Sequence, residues 1–257
     1  MPEKINIRGV GVDNITLAEA ADIVRGWLEA PETAFHAVFT PNSEIIQACV
    51  EDPTLYPLIN SADLVTPDGI GVVYASKILG RPLKGRTAGY DLGLETVRLS
   101  HEGGHKIFFL GGKPGIAEAA RDKLLEKYPN ALFVGTHDGY FKKEGAENDA
   151  VIDQINAAAP DILYVCFGVP AQEKWIAANR DRLPTVRVCL ALGGSLDGYS
   201  GNVKRAPDIF IKLGLEWFYR LCKEPKRIVR MMKLPKFLLG VIGYKLSGRS
   251  RNDTIIK

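Results

Sequence analysis

The feature that most limits the possible folds is a strand-to-helix turn that occurs twice between Phe35 and Arg86. One apolar run ends at Thr40-Pro41-Asn42, a second ends at Thr66-Pro67-Asp68, and a helical pattern follows each. Proline biases the residue before it toward extended geometry, while Asn and Asp start helices and sharp turns. Two parallel strands are therefore expected to end side by side. Their polar residues then lie at the edge where open α/β sheets bind ligands.

Either turn alone is also consistent with ordinary helix capping. The second turn, however, leads into the basic, glycine-bearing loop from Arg81 to Arg86. A carboxylate beside a cationic loop can serve as a general base next to an anion site. We therefore regard Asp68 as a candidate general base.

Apolar strands and amphipathic helices alternate along most of the chain. Strand patterns cover residues 5–10, 36–39, 63–66, 106–110, 131–135, 162–167 and 186–192, and Thr16-Leu17-Ala18-Glu19 is a capping box that predicts the first helix. Buried strands that alternate with helices indicate a parallel sheet covered on both faces. The predicted fold class is therefore α/β, with a Rossmann-like parallel sheet and helices on both faces.

A glycine-rich turn follows the strand at residues 106–110. Gly111, Gly112 and Gly115 can let backbone N–H groups approach a nucleotide phosphate at a helix N-terminus, and Asp138, after the next strand, has the usual place of an acidic ribose partner. The turn is not the Gly-x-Gly-x-x-Gly fingerprint of dinucleotide enzymes. Tight strand–helix packing and an ordinary acidic turn remain equally possible explanations.

The charge distribution divides the chain into two parts. Residues 1–200 hold 19 Lys plus Arg and 26 Asp plus Glu, whereas residues 201–257 hold 14 and 4. We predict a catalytic domain over residues 1–200 and a basic helical appendage over residues 201–257. Such an appendage suggests an anionic partner, for example a phospholipid surface, a nucleic acid or a phosphorylated substrate.

The appendage combines apolar, aromatic and basic residues, with Pro225 and Pro235 predicted to break its helices. No uncharged apolar run reaches the roughly 18 residues that span a bilayer. The pattern fits an interfacial membrane anchor, and it equally fits a helix packed on the body with a solvated basic face. An apolar face left exposed would also favour self-association into a homo-oligomer.

Several other features narrow the class of protein. The N-terminus has no signal-peptide pattern, and the four cysteines are far apart without a Cys-x-x-Cys pair, which favours reduced thiols in a cytoplasmic protein. The four histidines show no metal-ligand spacing, and no two aspartates stand at i and i+2. A leaving pyrophosphate would then be neutralised by arginines, lysines and helix N-termini.

A set of uncommon strings links this sequence to a known family. The strings are Thr40-Pro41-Asn42, Thr66-Pro67-Asp68-Gly69-Ile70-Gly71, Arg86, Gly89 with Asp91, Gly111-Gly112-x-x-Gly115, Asp138-Gly139-Tyr140-Phe141, Gly168-x-Pro170-x-Gln172-Glu173-Lys174-Trp175 and Lys204-Arg205-Ala206-Pro207. In this order, they resemble the WecG/TagA/CpsF glycosyltransferases over nearly the whole chain. The tail resembles that of the TagA branch.

The resemblance implies an inverting, metal-independent transfer without other cofactors. The implied donor is UDP-ManNAc, the implied acceptor is undecaprenyl-diphosphate-linked GlcNAc, and the implied product leads toward wall teichoic acid. The implied location is the inner face of the cytoplasmic membrane, where the protein is peripheral. WecG-like relatives use the related uronic acid, UDP-ManNAcA, so a sister sugar remains an alternative.

The resemblance also implies roles for individual residues. Asp68 would be the general base on the acceptor hydroxyl, and Arg86 would lie near the diphosphate. The sugar pocket would contain Thr40, Asn42 and Gln172. Three tail arginines, matched here by Arg220, Arg227 and Arg230, would fold over the active site at the membrane and touch the diphosphate.

Two further hypotheses come from other classes of protein. The first is a non-catalytic nucleotide-binding module whose tail binds lipid or nucleic acid, and it predicts that Asp68 can be replaced by Asn without consequence. The second is a Rossmann dehydrogenase or methyltransferase, which lacks the expected fingerprint glycines here. The glycosyltransferase hypothesis expects no nucleic-acid partner.

Overall fold

The computed structural model describes residues 2–207, 209–210, 215, 218–219 and 233–248. The strands are β1 (Lys4–Ile7), β2 (Val10–Asp13), β3 (His36–Phe39), β4 (Leu64–Val65), β5 (Lys106–Gly111), β6 (Leu132–His137), β7 (Ile162–Cys166) and β8 (Val188–Ala191). The helices are α1 (Leu17–Glu29), α2 (Ser43–Glu51), α3 (Leu55–Asn60), α4 (Ile70–Leu79), α5 (Gly89–Gly103), α6 (Ile116–Lys127), α7 (Gly145–Ala158), α8 (Ala171–Asn179), α9 (Ser195–Tyr199) and α10 (Lys233–Leu246), and a 3-10 turn covers Arg180–Arg182.

The main sheet has six strands in the order β4-β3-β8-β7-β5-β6, and each neighbouring pair is parallel. The carboxyl ends of all six strands therefore meet at one edge. The predicted Rossmann-like parallel sheet is confirmed. So is the pairing of the two strands that end at Thr40 and Thr66, since β3 pairs with β4.

Alternate residues of the central strands enter two separate cores. In β5, Phe108 and Leu110 belong to the core that also contains residues of α2, α7, α8 and α10, whereas Ile107 and Phe109 belong to the core that contains residues of α1, α5 and α6. Successive side chains of a strand point to opposite faces. The continuous apolar character of these strands thus follows from burial on both faces.

Side-chain caps begin the two helices nearest the amino end. Thr16 and Glu19 form the predicted reciprocal capping box at α1. The Asn42 side-chain oxygen accepts hydrogen bonds from the backbone N–H groups of Glu44 and Ile45 at α2. These bonds satisfy helix donors that lack a partner within the helix.

The prediction of one strand over residues 5–10 is wrong. Arg8 and Gly9 have positive φ angles of 54° and 97° and form a tight turn, so β1 and β2 make an antiparallel hairpin outside the main sheet. The hairpin joins the sheet edge through Asp13, whose carboxylate accepts the Val65 N–H at 2.7 Å and a bond from Lys4 at 2.8 Å. The alternation of apolar and polar residues did not reveal the turn, because the residues on both sides of it are apolar.

Helix α10 packs on α2 and α4. Phe237 and Val241 are fully buried in the same core as α2, α3 and α8. Pro235 lies in the first turn of α10, where proline is tolerated. The chain before Lys233 lies outside the described residues, so the predicted helix break at this proline stays a prediction. The division into residues 1–200 and 201–257 remains a prediction, but this helix of the proposed appendage shares the core of the body.

None of the helices in the described part of the chain is long and apolar enough to cross a membrane. Cys49, Cys166 and Cys189 are buried free thiols. Cys222 and Pro225 lie outside the described residues.

Candidate active site

The turns after β3 and β4 are joined by backbone hydrogen bonds. Thr66 N–H donates to the Phe39 carbonyl at 2.9 Å, and Asp68 N–H donates to the Pro41 carbonyl at 3.3 Å. Gly69 adopts a φ angle of 85°, which favours glycine, and brings the chain against Asn42. The structure therefore places Asp68 beside Asn42 at the carboxyl edge of the sheet.

Arg86 reaches the same corner from the loop before α5. Its Nε atom lies 3.9 Å from Asp68 Oδ1, and the two side chains are 21% and 28% exposed. Thr87 holds this loop in place, since its N–H donates to the Pro67 carbonyl and its hydroxyl to the Ile15 carbonyl, both at 2.9 Å. A carboxylate that can accept a proton and a guanidinium that can bind a phosphate thus share one partly open position.

Thr40 lies between this corner and the next strand. Its hydroxyl donates to the Ala191 carbonyl at the end of β8, at 3.1 Å, and only 9% of the residue is exposed. A side chain at Gly89 would crowd it, because a Cβ there would lie 2.8 Å from the Thr40 hydroxyl oxygen. Glycine at position 89 therefore allows the start of α5 to approach the site.

Gln172 links the loops after β7 and β8. Its side-chain oxygen accepts the N–H groups of Gly168 at 3.2 Å and Gly193 at 3.0 Å, and its nitrogen donates to Glu173 Oε1 at 2.9 Å. The residue is 2% exposed. Its visible role is to brace these two loops, and its predicted sugar contact remains a prediction.

Packing against β7 requires glycine at the first position of the glycine-rich turn after β5. Gly111 has a φ angle of 137°, and a Cβ there would collide with the Cys166 backbone of β7. Gly112 N–H donates to the Cys166 carbonyl at 3.2 Å, while Gly115 precedes α6 with a φ angle of 85°. These contacts explain the glycines without a ligand, so a nucleotide contact here remains a prediction.

Asp138 forms a turn after β6, in which its carboxylate accepts the Tyr140 N–H at 2.7 Å. It borders an open cleft of about 370 Å³ between this turn and α7, lined also by His137 and Glu147. Lys143 stabilises the turn by donating to the Gly139 and Phe141 carbonyls at 2.6 and 3.0 Å. Its ammonium packs on the Phe141 ring, and burial lowers the pKa of Lys143 to about 8.

The predicted residues are spread along the whole edge of the sheet. Asp68 follows β4 and Asp138 follows β6, which are the two outer strands of the six. Five strand spacings of about 4.8 Å put them roughly 24 Å apart. The structure thus brings Thr40, Asn42, Asp68 and Arg86 together, leaves Gln172 in the middle and sets the glycine turn and Asp138 at the far side.

The family model described as Glycosyl transferase WecG/TagA/CpsF family matches residues 5–251. The chain belongs to this glycosyltransferase family.

Curated relatives of the WecG/TagA/CpsF family are similar over most of the chain. Three relatives, from Bacillus subtilis (strain 168), Bacillus spizizenii and Staphylococcus aureus (strain MRSA252), are 39%, 36% and 34% identical to it. The matches cover 80%, 91% and 93% of this chain and 78%, 88% and 92% of the relatives. Each relative is named N-acetylglucosaminyldiphosphoundecaprenol N-acetyl-beta-D-mannosaminyltransferase.

Two predictions for this WecG/TagA/CpsF member, the tail arginines and the metal-independent mechanism, are not tested by the described residues. Arg220, Arg227 and Arg230 are not among the described residues. No group of three or more His, Cys, Asp or Glu side chains in the described part is arranged to hold a metal ion. The metal-independent mechanism stays a prediction.

Sequence patterns missed one contact that anchors the start of the appendage. Arg205 pairs with both Asp91 oxygens, at 2.6 and 2.8 Å, and packs over the Tyr90 ring at 4.5 Å. The strings that contain Arg205 and Asp91 were both evident in the sequence, but their pairing required the fold. The chain that leads into the appendage is therefore fixed to the amino end of α5.

Proposed function

We propose that this chain transfers N-acetylmannosamine from UDP-ManNAc to undecaprenyl-diphosphate-linked GlcNAc. The product would be β-1,4-linked and would enter wall teichoic acid or a related cell-surface polymer. The observation that carries the proposal is the shared mannosaminyltransferase name of relatives that match this chain over 78–92% of their own lengths. The pairing of Asp68 with Arg86 supplies a compatible centre.

In the proposed reaction, the acceptor hydroxyl oxygen attacks the anomeric carbon of the donor sugar. Asp68 accepts the hydroxyl proton as the new C–O bond forms. The bond from the anomeric carbon to the β-phosphate oxygen breaks, and UDP leaves with the electron pair. Attack opposite the leaving group inverts the anomeric centre.

The length of the site suggests how the donor lies. A diphosphate at Gly111 would lie about four strand spacings, or about 19 Å, from Asp68, and the anomeric carbon bonded to it would be out of reach of an acceptor held at Asp68. We therefore assign the Gly111–Asp138 end to the nucleoside and the Thr40–Asp68 end to the sugar. The diphosphate then lies between them and within reach of Arg86, whose planar guanidinium suits phosphate oxygens.

Neutralisation of the leaving diphosphate is proposed to need no metal ion. Arg86 is one source of positive charge, and the tail arginines Arg220, Arg227 and Arg230 are further ones. The position of α10 supports this, because Leu234 packs against Gly71, three residues after Asp68.

We also propose that α10 binds the inner face of the cytoplasmic membrane and so attaches the protein to it. Leu239, Ile242 and Leu246 lie on its outer face and are 69%, 41% and 81% exposed, opposite the buried Phe237 and Val241. The excess of basic residues after residue 200 adds attraction to anionic lipid. A partly exposed apolar face with basic residues nearby is typical of interfacial helices.

Replacing Leu239 and Leu246 together by Gln is expected to weaken binding to phosphatidylglycerol vesicles by roughly tenfold or more, because two apolar side chains no longer enter the lipid. Flotation at equal protein concentration measures the change. Leu132→Gln, an exposed leucine on β6, is the matched control and should float like the unmodified protein. If the double variant floats like the unmodified protein, this face does not bind lipid. If, in addition, the unmodified protein is an oligomer without lipid and the double variant is a monomer, the face serves self-association.

The proposed activity is tested by UDP release from purified full-length protein. UDP-ManNAc, UDP-GlcNAc and UDP-ManNAcA are offered separately, with and without a short-chain prenyl-diphosphate GlcNAc acceptor. We expect acceptor-dependent UDP release with UDP-ManNAc and with neither of the other two donors. Release with UDP-ManNAcA would assign the sister sugar instead, and measurable UDP binding without release from any donor would favour the non-catalytic module.

A further inference from the structure

Glu173 is a buried carboxyl group that the proposed reaction does not use. It is 1% exposed on the first turn of α8. Its Oε1 atom accepts a hydrogen bond from Gln172, whereas its Oε2 atom is fully buried and has no hydrogen-bond partner among the described residues. An unpartnered buried oxygen of this kind destabilises a fold, and a leucine of similar size would avoid that cost.

The hydrogen bond to Glu173 favours the same orientation of the Gln172 amide as two backbone donors do. The amide oxygen faces two donors, the backbone N–H groups of Gly168 and Gly193, and the amide nitrogen faces the Glu173 carboxyl. In the flipped orientation, donor would face donor and acceptor would face acceptor. Glu173 thus favours the one orientation in which Gln172 ties both loops.

We propose that Glu173 is a positioning residue of the active site, which orients the Gln172 amide and thereby holds the loops after β7 and β8 where the donor binds. The inference rests on the proposed function only in assigning these loops to the donor. The bracing itself is a property of the protein without ligand.

The bracing should depend on the charge of Glu173. An ionised acceptor makes a stronger hydrogen bond than a neutral one, so the loops are held more tightly once the proton is lost. Burial raises the pKa of Glu173 to about 7, although its place in the first turn of a helix favours negative charge. The change therefore falls near neutral pH.

The buried thiols and the tyrosine on the elements around Glu173 do not change charge in that range. Cys49 on α2, Tyr56 on α3, Cys166 on β7 and Cys189 on β8 all have a pKa raised by burial, to about 12 for Cys49 and Cys166. The charged groups of the 3-10 turn, Arg180, Asp181 and Arg182, follow the far end of α8, about 10 Å along the helix. Lys143 does change charge at the upper end of this range, because burial lowers its pKa to about 8, and its ammonium lies 4.1 Å from the Phe167 ring beside Gly168. The Glu173→Gln variant therefore decides which of the two groups causes a transition in these loops.

Hydrogen exchange tests the proposal without ligand. Protection factors of the Gly168 and Gly193 amides, corrected for the intrinsic pH dependence of exchange, are measured in the unmodified protein from about pH 5.5 to about pH 8.5. We expect both to rise by about fivefold through pH 7, as a charge-assisted bond replaces a neutral one. Protection that stays flat through this range would overturn the proposal.

Glu173→Gln keeps an acceptor of the same shape but cannot ionise, and Glu126→Gln, exposed on α6, is the matched control. At every pH, Glu173→Gln should show the protection that the unmodified protein has at low pH, while Glu126→Gln should follow the unmodified protein. A rise through pH 7 that persists in Glu173→Gln would overturn the assignment to this carboxyl group.

Thermal unfolding gives a second readout with a defined sign. The unfolded chain loses this proton near pH 4.5 and the folded chain near pH 7, so between these values the folded state holds the extra proton and stability falls as pH rises. The Tm of Glu173→Gln minus the Tm of the unmodified protein should therefore increase from about pH 5 to about pH 8. Parallel curves would contradict the proposal.

Donor kinetics test the consequence for the reaction. The KM for the active UDP-sugar should fall by about fivefold through pH 7 in the unmodified protein but not in Glu173→Gln, with kcat at high pH little changed. An identical pH dependence of KM in both would overturn the link to the donor. If no donor is turned over, the proposed function fails, and the exchange measurement still decides whether Glu173 braces the loops.

Discussion

Asp68→Asn is expected to lower the rate of sugar transfer by about 10²- to 10⁴-fold, because the acceptor hydroxyl then has no general base. The change is isosteric, and the Asp68 side chain is 28% exposed, so fold and UDP affinity should persist. The measurement is acceptor-dependent UDP release, with UDP binding followed separately by calorimetry. A fall in transfer without a fall in binding would assign Asp68 to the chemical step.

Asp122→Asn provides the matched control, since it makes the same exchange at an exposed position of α6. It should retain the transfer rate of the unmodified protein. If Asp68→Asn turns over at that rate as well, Asp68 is not the base, and the role passes to another group. Loss of UDP binding in Asp68→Asn would instead indicate that this carboxylate shapes the donor pocket.

Phe237→Ala is expected to lower the free energy of unfolding by about 3–5 kcal/mol, the range for removing a large aromatic side chain from a core. Phe237 is fully buried between α10 and the body. Because α10 also packs on α4, whose first turn follows Asp68, transfer should fall as well. Urea unfolding followed by intrinsic fluorescence measures the change in stability.

The comparison for this variant is Leu239→Ala on the outer face of the same helix, where the side chain is 69% exposed. Its free energy of unfolding should stay within about 0.5 kcal/mol of the unmodified protein. Equal stability of Phe237→Ala and the unmodified protein would mean that α10 does not hold its described position in solution.

The sequence predicted the sheet and the polar edge because each depends on local signals. Proline and capping residues at Thr40-Pro41-Asn42 and Thr66-Pro67-Asp68 end two strands, and parallel strands must then meet at one edge. The capping box at Thr16 is equally local, since its two bonds join residues three apart.

Such local signals could not predict contacts between residues that are distant in the sequence. The unpartnered oxygen of Glu173 depends on packing from several elements, and the string that contains it reads as an ordinary polar helix start. The sequence also left the packing of α10 open, because apolar residues such as Phe237 and Leu239 fit both a protein core and a lipid surface. Only the fold shows that α2 and α4 cover Phe237 and leave Leu239 exposed.

A chain of hydrogen bonds connects the first hairpin of the protein to its last described helix. Arg8 donates to Gln47, Gln47 donates to Glu51, and Lys236 donates to the same Glu51 oxygen at 2.6 Å. During synthesis, the hairpin, α2 and α4 leave the ribosome long before α10 does. Contacts of such large sequence separation form late, because a long loop must close first. The corner that holds Asp68 is therefore completed only after α10 has been synthesised, and shorter nascent chains leave the apolar surface that α10 covers open to chaperones or to misassembly.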